Sequence, residues 1–241
     1  MGRRLPEPIK KSTRKIYISI HSSDKCRVFL HYMLRGHIFR TMIIGKYLKN
    51  APVARLQIGC GHNFLKGWLN ADIIAGDIYL NARKKMPFRD DTFDFIYCEH
   101  FIEHLSANDG LKFLIECRRI LKIRGIIRIT TPDLEKLIKL YFDKNKFVKR
   151  EELIKVIYGK EGTILPCELF NNYMHRWGHQ FIYDKEFITS TLEEAGFASL
   201  ASCENKKSNN EYLANLERHY EGCDWLNPAE TLIIEAMKSS V

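Results

Sequence analysis

The stretch from His100 to His104, which reads HFIEH, matches the pattern H-x-x-E-H that some zinc peptidases use. On a helix the two histidines would face the same side, and the carboxylate between them could activate a metal-bound water. Such a site needs a third ligand, and no downstream carboxylate stands at a distinctive spacing. His175 and His179 repeat the spacing without a nearby acid or cysteine to complete a set. The sequence therefore predicts no metal site, and a zinc peptidase is only an alternative.

A second chemical signal is the glycine turn that ends the segment ARLQIGCG. Gly59 and Gly61 let the backbone turn sharply and approach a ligand without interference from a Cβ atom. A dinucleotide fingerprint needs a further glycine where Phe64 stands, so a pyrophosphate clamp is not expected. Asp72 ends the next apolar segment, where a carboxylate can accept hydrogen bonds from ribose hydroxyls; a turn aspartate is the alternative. Together these residues predict an adenosine-type ligand.

These residues belong to a pattern of short apolar strands and amphipathic helices. Strands are predicted in the segments ARLQIG, GWLNADI, GDIYLN, TFDFIYC, GIIRITTP, FASLASC and ETLIIEAMK. One helix is predicted over residues 106–122 with Ser106 as its N-cap, and another follows Asp184. Strands that alternate with helices predict an α/β fold with a Rossmann-like, mostly parallel sheet and helices on both faces.

The first crossovers of this predicted sheet are unusually short. Only HNFLKG separates the first two strands, whereas a parallel crossover normally needs a dozen or more residues. The usual helices there must be missing, which leaves one face of the sheet without cover. Residues 25–49 place apolar residues near helical spacing with basic residues between them. We expect this helix to pack on the domain and cover that face; a helix lying on a membrane is the alternative.

The sequence divides into a basic extension at residues 1–50 and a main domain at residues 51–241. Residues 133–158 are expected to be largely helical, and about 133–183 form an insert that we interpret as a lid over the substrate. The extension holds twelve Lys or Arg against two acids, a net charge of +10 within the total of +9 for the chain. It could contact an anionic membrane surface, a nucleic acid or a phosphorylated substrate, or be a solvated leader.

The apolar runs, the first residues and the cysteines of the sequence indicate the cellular compartment. No apolar run reaches the length of a membrane span, and no secretory signal is recognisable in the first residues. The seven cysteines are scattered without a C-x-x-C pair, which is typical of reduced thiols. The sequence therefore predicts a cytoplasmic protein without a transmembrane segment, peripheral to a membrane if the basic extension binds lipid.

Several segments in order carry a resemblance to a known family. They are LQIGCG, GWLNADI, NARKKMPFRDDTFDFIYCEHFIEHL, LKFLIECRRILKIRGIIRITTPDLEKL, HRWGHQFIYDKEFITSTLEEAGF and WLNPAETLIIEAMK. Across residues 54–238 the chain resembles class I S-adenosylmethionine-dependent methyltransferases, most closely a bacterial group of small, type 11-like members. The resemblance implies S-adenosyl-L-methionine as the cofactor and places H-x-x-E-H as a landmark of that fold.

The resemblance also implies a set of cofactor-binding residues: Gly59, Cys60, Gly61, Asp72, Ile73, Asn81, Cys98, Glu99 and His100. The glycine turn would border the methionine and ribose, and Asp72 would bind the ribose hydroxyls. Asn81 stands where the family usually has an aspartate facing the adenine amino group, and it keeps an acceptor oxygen. Glu99 and His100 would lie beside the sulfonium end.

Methyl transfer requires alignment of the acceptor and exclusion of water, and an oxygen or nitrogen acceptor can need a base. His104, Tyr173, His175 and His179 are the candidates, with ordinary packing and backbone hydrogen bonding as the alternative. The expected acceptor is a small molecule or a glycan precursor that contains sugar. A nucleic acid is less favoured because residues 51–241 lack a basic bias. A cofactor-binding partner protein without turnover is the alternative of another class.

Overall fold

The computed structural model describes residues 23–142, 165–219 and 226–240. The basic leader at residues 1–15 and the second part of the predicted helical stretch, residues 143–158, lie outside the described residues. Among those that are described, the N-terminal extension is helical, as residues 25–49 predict. It consists of α1 (Ser23–His31), a π-helix (Tyr32–Ile38) and α2 (Arg40–Asn50). An added Cβ at Gly36 would lie 3.3 Å from the ring of Tyr79, so glycine allows the π-helix to approach the sheet closely.

Seven strands form one sheet: β1 (Arg55–Ile58), β2 (Leu69–Asp72), β3 (Ile78–Tyr79), β4 (Phe93–Glu99), β5 (Leu121–Pro132), β6 (Phe197–Ser202) and β7 (Thr231–Lys238). Their order is β3-β2-β1-β4-β5-β7-β6. The first five strands are parallel, and β7 runs antiparallel to both β5 and β6. The predicted mostly parallel sheet is confirmed, and no helix occurs in the short connections between β1 and β3.

The remaining helices are a 3-10 helix (Ile102–His104), α3 (Ala107–Ile120), α4 (Leu134–Phe142), α5 (Pro166–His175), α6 (Lys185–Glu194) and α7 (Leu226–Glu230). Of these, α3, α4 and α6 lie where the sequence predicts helices, whereas the 3-10 helix, α5 and α7 lie where it predicts none. Ser106 caps α3 by accepting a hydrogen bond of 3.2 Å from the backbone N–H of Asp109, as the sequence predicts. Asp184 caps α6 in the same way, at 2.8 Å from the N–H of Phe187.

The main core lies on the sheet face that carries alternate strand residues such as Leu56, Ile58, Ile96 and Cys98. Helices α3 and α6 pack on it through buried side chains: Phe113, Leu114, Cys117, Ile120, Ile188 and Leu192. Partly buried residues of α2 pack against the same cluster: Ile43, Ile44, Tyr47 and Leu48. The prediction that the N-terminal helix packs on the domain is therefore confirmed for α2.

The opposite face has cover that the sequence did not predict. Phe95 and Tyr97 of β4 pack there against Leu65, Trp68, Leu213 and Leu216. The sequence predicted cover from helix 25–49 and did not predict this contribution from Leu213 and Leu216. Residues 203–217 form turns rather than a helix, and they contribute Leu213 and Leu216 to this cluster.

A buried ion triad fixes this irregular segment to the sheet. Arg128 of β5 is fully buried, and its Nη2 lies 2.6 Å from Oε1 of Glu217. Its Nη1 lies 2.5 Å from Oε1 of Glu235 on β7. A buried guanidinium is tolerable only when acceptors surround it, so Arg128 fixes where residue 217 must lie.

The described parts of the predicted lid form a small cluster of their own. Leu137 and Leu140 of α4 pack against Leu169 and Tyr173 of α5, with Ile182 alongside. The N–H of Leu134 donates to the carbonyl of Tyr183 at 2.9 Å, which joins the start of the insert to its end. The insert is attached at the carboxyl end of β5.

Candidate functional site

The glycine turn after β1 is tied to the end of β2 by hydrogen bonds to one carboxylate. The N–H of Gly61 donates to Oδ2 of Asp72 at 2.9 Å, and the N–H of Ile74 donates to Oδ1 at 2.7 Å. Each carboxylate oxygen has two lone pairs, so each can accept one further hydrogen bond. Asp72 is half-buried and lies at the carboxyl edge of the parallel strands, where ligands bind in doubly wound sheets.

The two glycines of the turn are required for different reasons. Both have positive φ angles, +72° at Gly59 and +49° at Gly61. A Cβ at Gly59 would lie 2.4 Å from the ring of Phe101, so the protein itself fills that side. A Cβ at Gly61 would meet nothing within 4 Å, so open space lies over this part of the turn. Space beside Gly61 and free acceptors on Asp72 fit the sugar of a nucleoside ligand.

Ile73 and Asn81 flank this opening. Ile73 exposes 46% of its surface, which leaves an apolar side chain available to a flat ring. Asn81 is half-buried, and its Oδ1 accepts a hydrogen bond of 3.0 Å from the N–H of Arg83. The amide of Asn81 is therefore oriented by the following turn. His31 of α1 also reaches this region, with its Nε2 3.3 Å from the carbonyl oxygen of Asp72.

The two cysteines of the predicted set are buried thiols. Burial, together with the charges of Asp72 and Asp77, raises the pKa of Cys60 to about 12. Burial and the charge of Glu103 raise the pKa of Cys98 well above its ordinary value. Both side chains are therefore neutral at physiological pH, and they fill space beside the turn and at the end of β4 rather than acting as nucleophiles.

The segment from Glu99 to His104 does not form the helix that the zinc-peptidase interpretation requires. Glu99 ends β4, His100 has a φ of +45°, and only Ile102–His104 form a 3-10 helix. The two histidines therefore do not lie one helical turn apart on a common face. The zinc-peptidase alternative requires both histidines on one helix, and it is wrong because His100 follows the end of a strand and has a left-handed backbone conformation.

The side chains of Glu99 and His100 face neighbouring segments. Oε1 of Glu99 accepts hydrogen bonds from the N–H groups of Arg218 and His219 at 2.7 and 2.9 Å. The ring of His100 stacks on His219 with centroids 3.9 Å apart, and its Nδ1 lies 3.4 Å from Oε1 of Glu103. These contacts hold residues 218–219 against the end of β4 and close that side of the site.

His100 lies in a buried acidic environment. Its Nε2 lies 3.7 Å from Oε1 of Glu230, opposite the contact with Glu103. Burial alone would lower the pKa of His100, but Glu103 and Glu230 outweigh it and the pKa is raised. Burial acts to raise the pKa of Glu103, yet the hydrogen bond and charge of His100 prevail and the pKa is lowered. Both directions favour an imidazolium–carboxylate pair.

Two of the three predicted catalytic histidines lie together. The rings of His104 and His179 meet edge to face with centroids 4.9 Å apart. Glu103 joins them, because one ligand atom from each of the three residues lies within 4.8 Å of the others. His175 ends α5 and is exposed, and it is not part of this group. Tyr173 is buried and contributes its carbonyl oxygen, which Nδ1 of His179 contacts at 2.6 Å.

The sequence did not identify Glu103, Glu230 or His219 as site residues in their own right. Glu103 is fully buried, and its Oε2 accepts a hydrogen bond of 3.1 Å from Oγ1 of Thr131. Glu103 and Glu230 are fully buried on either side of the imidazole of His100, and Glu230 reaches this position only through the tertiary structure. The available signal was local: an acid between two histidines directly after a strongly apolar strand.

A comparison with protein families finds one partial match. Residues 56–129, which run from β1 into β5, match a family model described as a methyltransferase domain. The match includes the glycine turn, Asp72 and the HFIEH segment. These residues are therefore similar to a methyltransferase domain, in agreement with the resemblance noted in the sequence.

Individual proteins are similar over larger parts of the chain. An uncharacterized protein of Methanocaldococcus jannaschii is 28% identical over 153 residues, which are 52% of this chain and 65% of that protein. A phosphoethanolamine N-methyltransferase 2 of Haemonchus contortus, solved with phosphomonomethylethanolamine and S-adenosylhomocysteine, has a TM-score of 0.49 at 13% identity. The alignment covers 94% of this chain and 60% of that enzyme. A methyltransferase of Archaeoglobus fulgidus has a TM-score of 0.45 at 19% identity, with 87% and 99% covered.

Proposed function

We propose that this protein transfers the methyl group of S-adenosylmethionine to an oxygen or nitrogen atom of a small-molecule or sugar-containing acceptor. The observation that carries the proposal is the carboxylate of Asp72. Two backbone N–H groups orient it at the carboxyl end of β2, and each of its oxygens keeps an acceptor site. That arrangement suits the two neighbouring hydroxyls of a ribose.

The cofactor would extend from Asp72 along the ends of β1 and β4. Gly59, Cys60 and Gly61 would border its ribose and methionine parts, where the open space over Gly61 leaves room. Ile73 and Asn81 would contact the adenine, one through its apolar surface and one through its amide. Cys98, Glu99 and His100 would bound the sulfonium end, and the polar contacts of Glu99 and His100 would act mainly by shaping that wall.

The acceptor would approach from the side of the insert, where His104 and His179 lie. Burial lowers the pKa of His179, so its ring is neutral near pH 7. Nδ1 of His179 must carry the proton, because its partner is a carbonyl oxygen and can only accept. The lone pair is thus on Nε2, where it can take a proton from an acceptor hydroxyl or amine. His104 is the second candidate, whereas His175 is exposed and does not belong to the group of Glu103, His104 and His179.

Calorimetric titration with S-adenosylmethionine and S-adenosylhomocysteine, followed by an assay for S-adenosylhomocysteine release, tests the proposal. Pools of small metabolites, nucleotide sugars and lipid-linked sugars serve as acceptors, with transfer RNA as the nucleic-acid comparison. Turnover that depends on a sugar or small-molecule pool would support methyl transfer as proposed. Tight binding without turnover in any pool would favour the alternative of a cofactor-binding partner protein, and turnover on RNA alone would overturn the acceptor class.

We also propose that the N-terminal extension contacts an anionic surface. Several apolar side chains of residues 23–50 remain exposed beside basic ones: Phe29, Leu30, Ile38 and Met42, each more than half exposed. Apolar side chains among lysines and arginines are the combination that binds anionic lipid at an interface. Within the described ranges, none of the helices is long and apolar enough to cross a membrane. We propose a cytoplasmic protein that makes this contact at the membrane surface.

A further inference from the structure

Glu103, His104 and His179 bring one carboxylate and two imidazoles to one point beside the cofactor region. We propose that these three side chains bind a single divalent transition-metal ion, with Zn²⁺ as the expected occupant. The proposal concerns a binding site that the sequence pattern did not predict. It can hold whether or not the protein turns over a substrate, but it uses His104 and His179, the two histidines proposed above as candidate bases.

The donor atoms match the chemistry of such ions. Two histidine nitrogens and one carboxylate oxygen are a ligand set of catalytic zinc sites and of open sites for related divalent metals. Mg²⁺ and Ca²⁺ prefer sites made only of oxygen ligands, so they should bind here poorly. Three protein ligands leave at least one coordination position for water. His104 and His179 are half-buried, which gives an ion access from solvent.

Outer contacts already orient two of the ligands. The hydrogen bond from Nδ1 of His179 to the carbonyl of Tyr173, at 2.6 Å, leaves Nε2 as the atom with the free lone pair. Oε2 of Glu103 accepts the hydroxyl of Thr131 at 3.1 Å. Metal-bound histidines usually donate their second N–H to a carbonyl or carboxylate, and bound carboxylates are themselves hydrogen-bonded. His179 and Glu103 each already make a contact of this kind within the protein.

The backbone holds the two ligand-bearing segments together. The carbonyl of Glu103 accepts hydrogen bonds from the N–H groups of Gln180 and Phe181 at 2.7 and 3.2 Å. The side-chain amide of Gln180 donates to the carbonyl of His104 at 2.8 Å. These three bonds fix residue 179 beside the 3-10 helix, so little reorganisation is needed to bring the ligand atoms to coordination distance.

His100 distinguishes this site from the zinc-peptidase pattern. It pairs with the same Glu103, and its ring faces Glu230 rather than the ring of His104. The carboxylate of Glu103 has two oxygens and can contact His100 and an ion together. His179, which the H-x-x-E-H pattern does not contain, supplies the third ligand. If His104 and His179 bind the ion, their lone pairs are no longer available to remove a proton from the acceptor. Methyl transfer that requires the metal would therefore mean that neither histidine is the base.

Chelator-treated protein titrated with Zn²⁺ in a calorimeter tests the site, with Co²⁺ absorption as a second readout. We expect one Zn²⁺ equivalent whose affinity falls at least about tenfold in His179→Ala, His104→Ala and Glu103→Gln. The ligand-field bands of bound Co²⁺ should weaken in the same variants. His175→Ala is the matched control, since it removes an exposed histidine of the same segment and should bind as the wild type does.

The outcomes separate this proposal from the proposed function. Affinity for S-adenosylmethionine is measured in each variant, so that a folding defect is recognised by loss of both ligands. If Glu103→Gln fails to fold, the half-buried His104→Ala decides. Equal Zn²⁺ binding by the wild type and by the His104→Ala, His179→Ala double variant would overturn the site, and so would a loss in His175→Ala as large as that in His179→Ala.

Discussion

The backbone N–H of Gly61 donates a 2.9 Å hydrogen bond to Oδ2 of Asp72, and this bond joins the turn after β1 to the end of β2. The carboxylate organises the turn, and its remaining lone pairs are the acceptors that we propose for the ribose. The N–H of Ile74 completes the orientation through the other oxygen. Substitutions of Asp72 should consequently affect cofactor affinity more strongly than the loss of a single ligand contact would.

Asp72→Ala should lower the affinity for S-adenosylmethionine at least tenfold, because a hydrogen bond to a charged group contributes about 1.5–3 kcal/mol. Asp72→Asn keeps one acceptor oxygen and should lose less. Titration calorimetry of both variants measures the difference. Glu194→Ala, which removes an exposed acid at the end of α6, is the control and should bind normally. Unchanged affinity in Asp72→Ala would contradict the assignment of the ribose site.

The two glycines of the turn should respond differently to alanine. Gly59→Ala should destabilise the fold by more than about 1 kcal/mol, because its Cβ would meet the ring of Phe101 at 2.4 Å and its φ is +72°. Gly61→Ala meets no atom within 4 Å, so it should cost mainly backbone strain while its methyl group occupies the space proposed for the cofactor. Urea denaturation and cofactor titration separate these effects. If Gly59→Ala and Gly61→Ala have the same stability and lose the same cofactor affinity, the expected difference between the two glycines is contradicted.

Local pattern predicted much of the fold, because its strands and helix starts depend on neighbouring residues. All seven strands occur where short apolar runs end in turns, and Ser106 and Asp184 cap the helices that they were predicted to begin. The cover of the second sheet face was not predicted. Leu213 and Leu216 lie in turns without helical or strand periodicity, so their packing against β4 follows only from the tertiary structure.

The site was predictable where it follows the strand ends and unpredictable where distant segments meet. Asp72 and the glycine turn are adjacent because β1 and β2 pair in parallel, and sequence order implies that pairing. The spacing of HFIEH suggested a helix, but the positive φ of His100 breaks it. Contact between His104 and His179 depends on the backbone bonds of residues 180 and 181, which no local pattern reveals.

Arg128→Met should destabilise the protein by about 3–5 kcal/mol, because it leaves the carboxylates of Glu217 and Glu235 buried without their counter-ion. Chemical denaturation followed by circular dichroism measures the change. Lys139→Met removes one member of an exposed pair with Glu135 and should leave stability nearly unchanged, because water screens the pair. A loss in Arg128→Met as small as that of the control would show that the triad does not fix residues 203–217.

Glu99 and Glu116 should give pH dependences of opposite sign. Burial, opposed by the N–H groups of His219 and Arg218, raises the pKa of Glu99. Its contribution to stability is therefore present below the unfolded pKa and is lost as pH rises through the raised folded pKa. The hydrogen bond from Arg119 lowers the pKa of Glu116, so its contribution is present above the unfolded pKa and is lost as pH falls through the folded one.

Melting temperatures of the wild type, Glu99→Gln and Glu116→Gln between pH 3 and pH 8 test this pair of signs, since neither glutamine titrates. Relative to the wild type, Glu99→Gln should gain stability as pH rises from the unfolded pKa toward the folded one. Glu116→Gln should lose stability on raising the pH through the interval below the ordinary glutamate pKa. Parallel curves for the two variants would contradict the opposite electrostatic environments of the two carboxyl groups.

The exposed apolar residues of the extension predict binding to anionic vesicles. Phe29 and Met42 each expose 63% of their surface, so replacing both with serine should leave the core intact while it removes apolar area from an interface. We expect the wild type to sediment with vesicles that contain phosphatidylserine, and the Phe29→Ser, Met42→Ser variant to sediment several-fold less. Raising the salt concentration should weaken binding of the wild type, because basic residues supply part of the attraction.

Phe142→Ser is the matched control, since Phe142 is 73% exposed but lies at the end of α4, outside the extension. Sedimentation that is equal with neutral phosphatidylcholine vesicles, or that falls as much in Phe142→Ser, would exclude the extension as the anionic-lipid contact.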